Sequence, residues 1–554
     1  MKETHQTPVL FFYGLLLISF LLLLGRLFEL QIILGAQHRQ VAEGNRVRKI
    51  INPAPRGIIF GAQQKPLVRN VPVYRLKKAE CEEGFGQDCL VTINREEALR
   101  IEVQGGEAIE RLRVNVGRDY IYGPALAHVL GYLGEVTTGE LDHPDYKLGD
   151  LIGRTGIEQE YDHSLRGIDG GEIFEVDTQG KKTRELGSLQ PTAGNDIYLS
   201  IDASLSQVAL KALEDRPGAV VVTEAKTGRV LVLVSSPSFD PNLFGKFTSE
   251  VEKLLNDSSR PMFNRAISGL YPPGSVFKIV TATAGLEEGK IDENTTYEDK
   301  GFIQIGEYVY KNWLFSKRGG IEGKIGVVGA LKRSTDTFFY KVGEWVGVRR
   351  LADWGKAFGL GKETGIDLPF ESAGLVPDPE WKERVTGERW FLGNTYHFAI
   401  GQADLLTTPL QINMMTSIIA NDGKLCQPII AKNTSDGDQK GLLRGGMNCQ
   451  DLQLKEQTLR LIKEGMKEAC SPGGTAFPLF NFSAPGLPRS LGVACKTGTA
   501  EFDDPNDRTH AWLTAFAPAD DPEIVITTLV EAGGEGSDVA APIVKKVLEE
   551  WFKE

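Results

Sequence analysis

At 554 residues the chain is too long for one compact core, and a make-up of 41% hydrophobic and 25% charged residues fits folded domains rather than a low-complexity chain. A net charge of -12 argues against a nucleic-acid partner, because phosphate binding needs concentrated Lys and Arg.

One stretch departs from this soluble character. Residues 8–25, PVLFFYGLLLISFLLLLG, are uncharged and apolar over a length that just spans a bilayer. Arg26, Phe28 and Glu29 follow where a small-residue cleavage site would lie. The segment therefore reads as an uncleaved signal anchor over 8–30, behind a cytoplasmic tail at 1–7. Lys2 is the only Lys or Arg before it, whereas Arg26, Arg39, Arg46, Arg48 and Lys49 follow. Basic-residue bias alone would leave the bulk of the chain on the cytoplasmic side.

Residues 31–50 read as a basic helix. Pro53, Pro55 and Gly57 break it and open a mixed module of short β-like runs and polar turns that extends to residue 195. Its histidines, His128, His143 and His163, are scattered and need no function. A second unit begins near residue 196. Strand-like DIYLSI runs into a helix with Leu205, Val208, Ala209 and Leu213 at a 3.6-residue period. GAVVVTEAKTGRVLVLVSS is two β-branched runs around a turn, a hairpin. Residues 275–480 read as mainly helical. LGVACKTGTAEF and HAWLTAFAPADDPEIVITTLVE add three strands, and APIVKKVLEEWF closes with a helix. The pattern predicts an α/β fold, with five antiparallel strands between helices.

The six cysteines (Cys81, Cys89, Cys426, Cys449, Cys470, Cys495) have no Cys-x-x-Cys spacing and no nearby His cluster, which argues against zinc. Cys81 and Cys89 are close enough to form a small disulfide loop in an oxidising compartment. Cys495 reads as a small buried apolar residue.

The residues that carry chemistry lie in the second unit. Ser275 and Lys278 form the one Ser-x-x-Lys in the chain. Pro272, Pro273 and Gly274 precede it and apolar IVTATAGL follows, so a buried helix begins here. Lys278 falls on the face of Ser275. Desolvation would lower its pKa and let the neutral amine take the serine proton. The fragment alone fits a capped helix start equally well. Ser334 and Asp336, in LKRSTDTFFYKVG, add a hydroxyl that can relay a proton and a carboxylate that can hold a lysine; Ser-x-Asp is also common in turns and caps. Lys-Thr-Gly occurs twice. Lys226-Thr227-Gly228 lies between two apolar runs, where its glycine supplies a hairpin turn. Lys496-Thr497-Gly498-Thr499 continues a strand of small residues, and a strand glycine there predicts close approach of another backbone. An extended peptide could pair with that strand, Lys496 could attract a carboxylate, and the Thr499 and Ser275 N–H groups could form an oxyanion hole.

Ser-x-x-Lys, Ser-x-Asp and Lys-Thr-Gly, in this order, resemble the penicillin-binding protein and serine β-lactamase superfamily. PRGIIF, LAHVLGYLGEV, GRTGIEQEYDHSLRGIDGG, SSPSFDPN, YPPGSVFK, AIGQADLLTTPLQI and KTGTAE resemble class B penicillin-binding proteins over most of residues 50–530. Ser-x-Asp with TFFYKVG and FGLGKETGIDLPFE is most similar to the elongation-type branch, penicillin-binding protein 2. The resemblance implies a transmembrane helix, a non-catalytic, dimerisation-like α+β pedestal over 31–195 and a transpeptidase domain over 196–554. It implies that Ser275 is the acylated nucleophile, Lys278 its general base, Ser334 a proton relay and Asp336 the residue that orients Lys278. Lys496, Thr497, Gly498 and Thr499 would bind substrate. The implied reaction is serine-type D-Ala-D-Ala transpeptidation or carboxypeptidation, which cross-links peptidoglycan stem peptides during wall elongation and is blocked by β-lactams. No metal or cofactor is implied. Further implied are a membrane glycan polymerase partner, of the shape, elongation, division and sporulation family, and a chain whose bulk lies on the periplasmic or extracellular side. A β-lactam hydrolase or sensor, or a scaffold that activates the polymerase, are the alternatives. Two departures stand out. Asp336 replaces the Asn of most relatives and, ionised, cannot donate a hydrogen bond, which favours a contact to Lys278. Phe60-Gly61 stand where relatives carry Asp-Arg.

Overall fold

The structure is a computed structural model that describes residues 6–36, 47–78, 90–104, 111–140, 146, 150–176, 182–244, 249–434, 448–482 and 492–553. Cys81, Cys89, His143 and residues 37–46 of the expected basic helix lie outside the described residues. Contacts divide the chain into two compact units, Met1–Arg56 with Arg166–Gly194, and Gly57–Leu165 with Asn195–Glu554. The 31–195 span expected as one module contributes to both.

In the first unit α1 (Gln6–Phe28) carries the apolar run, and Leu10–Ile33 has a mean hydropathy of 2.2 with its side chains unburied. At 1.5 Å per residue the helix is about 35 Å long, enough for a hydrocarbon core of about 30 Å. Strands Val47–Asn52, Gly170–Val176 and Lys182–Leu189 form an antiparallel sheet in that order. Residues 47–52 are therefore a strand and not the end of a helix. β-branched Val47, Ile50 and Ile51 suit a strand, but the pairing partner lies more than about 100 residues downstream, beyond the reach of local periodicity.

In the second unit short strands Ile59–Phe60 and Ile197–Leu199 pair in parallel, within a mixed sheet that also holds Pro66–Lys77 and Leu112–Tyr120. Ile59, Leu67, Leu126 and Val129 share a buried cluster with Ala219, Val221, Leu233 and Met414, so residues 57–165 and the large sheet close one core. Phe60 stacks on Tyr198 at 5.0 Å.

After α2 (Ala203–Leu213), capped by Asp202, come β1 (Gly218–Glu224) and β2 (Val230–Ser236). Helices α3 (Lys278–Glu287), α4 (Trp313–Arg318), α5 (Val327–Arg333), α6 (Asp336–Val346), α7 (Leu392–Ala399), α8 (Pro409–Ala420) and α9 (Glu456–Ala469) follow. β3 (Ala494–Glu501), β4 (Thr509–Ala517), β5 (Ile524–Val530) and α10 (Ala541–Trp551) complete the unit. The five strands are antiparallel, as the sequence pattern predicts; their order is β2-β1-β5-β4-β3, and β3 is an edge. Side chains alternate across the sheet. Cys495, Leu513 and Ala515 face a cluster with Leu213 and Val544 of α2 and α10, whereas Ala494, Trp512 and Phe516 face α3, α6 and α8.

His128 is buried against Phe239, and its Nε2–H donates to Pro261 O at 2.9 Å. Burial pushes its pKa from 6.5 down to about 4. Between those values the unfolded chain binds a proton that the folded chain excludes, so stability falls as pH drops from 6.5 and is fully lost from this source below 4. The cost is on the order of 3 kcal/mol. Melting temperature should therefore decline from pH 7 to pH 4.5, and His128→Gln should flatten that decline in a calorimetric pH series.

Candidate active site

Gly274–Phe277 form a 3-10 turn that runs directly into α3. Ser275 thus sits on the 3-10 turn, just ahead of the α-helix expected to carry it. With three residues per turn, side chains at i and i+3 stack one over the other, which places Ser275 and Lys278 on one face. The Ser275 hydroxyl is part-buried and has no hydrogen-bond partner among the described residues. The Gly274 N–H donates to Gly401 O at 2.8 Å and Trp512 Nε1–H to Pro272 O at 3.0 Å, which pins the turn.

The turn lies backbone to backbone on β3. Gly274 has φ +56°, and a Cβ there would meet Thr499 O at 2.9 Å. A Cβ on Gly498 would meet Pro273 O at 3.1 Å. This is the close approach expected of a strand glycine.

Two lysines, both fully buried, converge on Ser334. Lys278 Nζ donates to Ser334 O at 2.8 Å, Ser334 Oγ at 3.2 Å and Asp336 Oδ1 at 2.5 Å. Lys496 Nζ donates to Ser334 Oγ at 2.8 Å and Thr497 O at 3.0 Å. Ser334 makes this possible by taking a left-handed conformation, φ +56°, at the C-cap of α5, which turns both its carbonyl and its hydroxyl toward the amines. The conformation costs roughly 1–2 kcal/mol for a residue with a Cβ. Burial lowers the Lys278 pKa, and the Asp336 carboxylate opposes that shift. Lys496 is pushed further down, by burial first and then by the charge of Lys278. Lys278 also lies 5.5 Å from the Phe339 ring centroid.

Asp336 opens α6 and faces Lys278 rather than the cleft. Its Oδ2 accepts from Trp313 N–H at 2.8 Å and its own N–H donates to Asn312 Oδ1 at 3.1 Å. Neither Asn312 nor Trp313 carried any signal in the sequence. On β3, Thr497 Oγ1 pairs with Thr475 Oγ1 at 2.7 Å, and the Thr499 hydroxyl donates to Glu535 Oε2 at 2.8 Å. Glu535 also pairs with Lys317 of α4. The run of glycines around Glu535 was a usable signal: a Cβ on Gly536 would meet Trp512 O at 2.1 Å.

The other Lys-Thr-Gly is a hairpin turn, as expected. Gly228 has φ +75° between β1 and β2, and Lys226 reaches exposed Asp521 at 2.6 Å. Cys495 corrects an expectation. It is buried, but in a disulfide with Cys470 at the end of α9, which ties that helix to the residue before Lys496. Cys426 and Cys449, paired across two short strands, form a second disulfide. Neither pairing was legible, because each joins residues more than 20 apart (23 and 25), the first brought together by a pair of short strands and the second by α9 and β3.

The sheet, the helical cover and this Ser/Lys/Ser/Lys grouping agree with the comparisons. The family model described as Penicillin binding protein transpeptidase domain matches residues 218–549, and that described as Penicillin-binding Protein dimerisation domain matches residues 90–199. The chain belongs to the penicillin-binding protein transpeptidase family. It is 32% identical to a peptidoglycan D,D-transpeptidase MrdA of Acinetobacter baumannii, over 100% of this chain and 88% of that protein. It is similar to penicillin-binding protein 2 of Helicobacter pylori, solved in a complex with MreC, with a TM-score of 0.78, 29% identity and coverage of 92% and 99% of the two chains. A chain of a solved peptidoglycan synthase complex, described as coordinating polymerization and crosslinking, gives a TM-score of 0.76 at 28% identity, covering 98% of each chain. With α1, these similarities make the chain a single-pass, membrane-anchored protein.

The contact at Gly274 yields a direct test. Gly274→Ala should cost at least about 1–2 kcal/mol from the left-handed backbone alone, and more from the clash with Thr499 O. A fall in melting temperature of several degrees, read by calorimetry, is the expected outcome; an unchanged melt would mean that the turn and β3 do not lie in contact.

Proposed function

We propose that this chain is a peptidoglycan D,D-transpeptidase acting through a Ser275 acyl-enzyme. The observation that carries the reading is the convergence of Lys278 and Lys496 on Ser334 Oγ, beside the turn that bears Ser275. As an ammonium, Lys278 spends all three N–H bonds on Ser334 O, Ser334 Oγ and Asp336. As a neutral amine, it keeps the contacts to Ser334 O and Asp336 and frees a lone pair toward the serine hydroxyls. Ser275 Oγ then loses its proton to Lys278 as it attacks the carbonyl between two D-Ala residues. The Ser275 and Thr499 N–H groups receive the oxyanion.

As the peptide C–N bond breaks, the leaving D-Ala amine takes a proton through Ser334, whose lone pairs accept from the two lysines and whose O–H remains to donate. An acceptor amine next attacks the ester. A new C–N bond forms, the C–O bond breaks and the proton returns to Ser275; water in place of the amine gives carboxypeptidation. Lys496, Thr497, Gly498 and Thr499 hold the donor strand and its terminal carboxylate, and a β-lactam acylates the same oxygen. Residues 31–195 act as the pedestal and residues 196–554 as the transpeptidase domain.

The bulk of the chain lies outside the cytoplasmic membrane. Disulfides Cys426–Cys449 and Cys470–Cys495 support an oxidising compartment, and a long domain crosses regardless of flanking Lys and Arg. A membrane glycan polymerase is the partner, in line with the synthase complex to which the chain is similar.

Intact-mass analysis after penicillin treatment should show one adduct, mapped to the peptide of Ser275 and absent in Ser275→Ala. An adduct elsewhere would overturn the site, and rapid turnover of a chromogenic β-lactam would overturn the transpeptidase reading in favour of a hydrolase. Because Asp336 raises the Lys278 pKa, Asp336→Asn should move the acid limb of the acylation rate to lower pH while lowering the plateau. Acylation by a fluorescent penicillin from pH 5 to pH 9 reads both effects, and a limb moving to higher pH would remove Lys278 as the base.

A further inference from the structure

Asp299 is a fully buried carboxylate that the reaction above does not use. It ends the strand Thr296–Asp299, which pairs with Gly323–Gly326, and it forms no ion pair among the described residues. Four donors surround it instead. Oδ1 accepts from Gly301 N–H at 2.9 Å and from the Thr337 hydroxyl at 2.8 Å. Oδ2 accepts from Glu322 N–H at 2.8 Å and from Asn312 Nδ2–H at 3.1 Å.

Two of those donors flank the partner of Lys278. Thr337 is the residue after Asp336. Asn312 turns its other amide atom, Oδ1, toward the Asp336 N–H at 3.1 Å, and the next residue, Trp313, donates its own N–H to Asp336 Oδ2 at 2.8 Å. A carboxylate can only accept, so it compels the NH2 of Asn312 to face Asp299 and the oxygen to face Asp336. With that orientation fixed, α4 and the start of α6 are set against each other, and Asp336 Oδ1 is aimed at Lys278 Nζ at 2.5 Å.

We infer that Asp299 is a positioning residue for the acylation site, acting through the Asn312 amide to hold Asp336 against Lys278. This deepens the Ser275 acyl-enzyme reading and rests on it. Asp299→Asn offers one NH2 to a pocket lined by donors, so at least one donor loses its acceptor and the Asn312 amide is free to turn over. Asp336 then drifts from Lys278. The charged groups that face Lys278 are Asp336 from α6 and Lys496 from β3, and a weaker hold by Asp336 lets burial act on Lys278 with less opposition.

The test is the second-order rate of acylation by a fluorescent penicillin from pH 5 to pH 9, using full-length protein in detergent, per folded molecule counted by its thermal-melt amplitude. Asp299→Asn should acylate at least about fivefold more slowly at the plateau, the loss of one hydrogen bond to a charged group, with its acid limb displaced to lower pH. The swapped pair Asp299→Asn with Asn312→Asp restores donor opposite acceptor and should recover part of the rate. A purely structural carboxylate would change the folded yield and leave rate and limb per folded molecule unchanged; that result would overturn the inference. If Asp299→Asn does not fold, Asn312→Ala, which leaves Asp299 three of its donors, must show the same slowing and shift, and wild-type kinetics in it would overturn the inference equally. Labelling of the wild type at Ser275 is the control: if it fails, the acyl-enzyme reading has failed and not the role of Asp299.

Discussion

Two buried lysines around one carboxylate are the constraint from which the site's architecture follows. Placing an ammonium in a protein interior costs several kcal/mol even after relaxation, and a buried ion pair seldom returns more than that cost. Lys278 and Lys496 are both fully buried, and among the described residues Asp336 is the one carboxylate in contact with either. Lys496 forms no ion pair among the described residues, and burial first and then the charge of Lys278 push its pKa down. The arrangement is a poor way to stabilise a fold and a good way to keep a proton mobile. Ser334 stands between the two amines, accepts from both and has a hydroxyl hydrogen left to give.

Holding that arrangement requires backbones closer than side chains allow. The turn that carries Ser275 meets β3 at Gly274 and Gly498, and Gly401 seats its own backbone on Gly274, where a Cβ would lie 2.2 Å from Gly274 O. Gly536 does the same against β4, where Trp512 fills the space beneath the turn and donates to Pro272 O. Each of these positions belongs to a different part of the chain, so the cleft is assembled from at least four segments whose only common property is a missing Cβ. Disulfide Cys470–Cys495 fixes the strand one residue before Lys496 to the end of α9, in the same cluster that packs against α10.

What could be read from the sequence was what local chemistry encodes. Ser275 and Lys278 alone fit a capped helix start equally well, and it is their order with Ser334, Asp336 and the strand-borne Lys496-Thr497-Gly498 that singles them out, while the hairpin context sets the copy at Lys226 aside. α1 and the five strands are legible because long apolar runs and period-two patterns are properties of contiguous residues. Features that depend on remote pairing were not legible. Residues 47–52 look helical until Gly170–Glu175 supplies a partner, Cys495 looks like a small apolar residue until α9 brings Cys470 to it, and residues 57–165 look separate until their core merges with the large sheet. Asp299, Asn312 and Trp313 are ordinary residues in a stretch of mixed polar and aromatic character, and only the folded chain reveals their contacts leading to Asp336.

The aspartate at 336 changes how such a site has to work. An amide there would accept Trp313 N–H and leave the Lys278 pKa to burial alone; the carboxylate raises that pKa and favours the ammonium. In the proposed reaction Lys278 must be neutral to serve as a base, and Asp336 opposes that state. Ser334 Oγ, which accepts from both lysines, stands on the path that a proton leaving Lys278 would take. On this reading the donor's terminal carboxylate arrives at Thr497 and Thr499, and an anion there favours the charged form of Lys496. On that reading substrate binding and activation of Ser275 meet at one hydroxyl, that of Ser334, which both lysines touch.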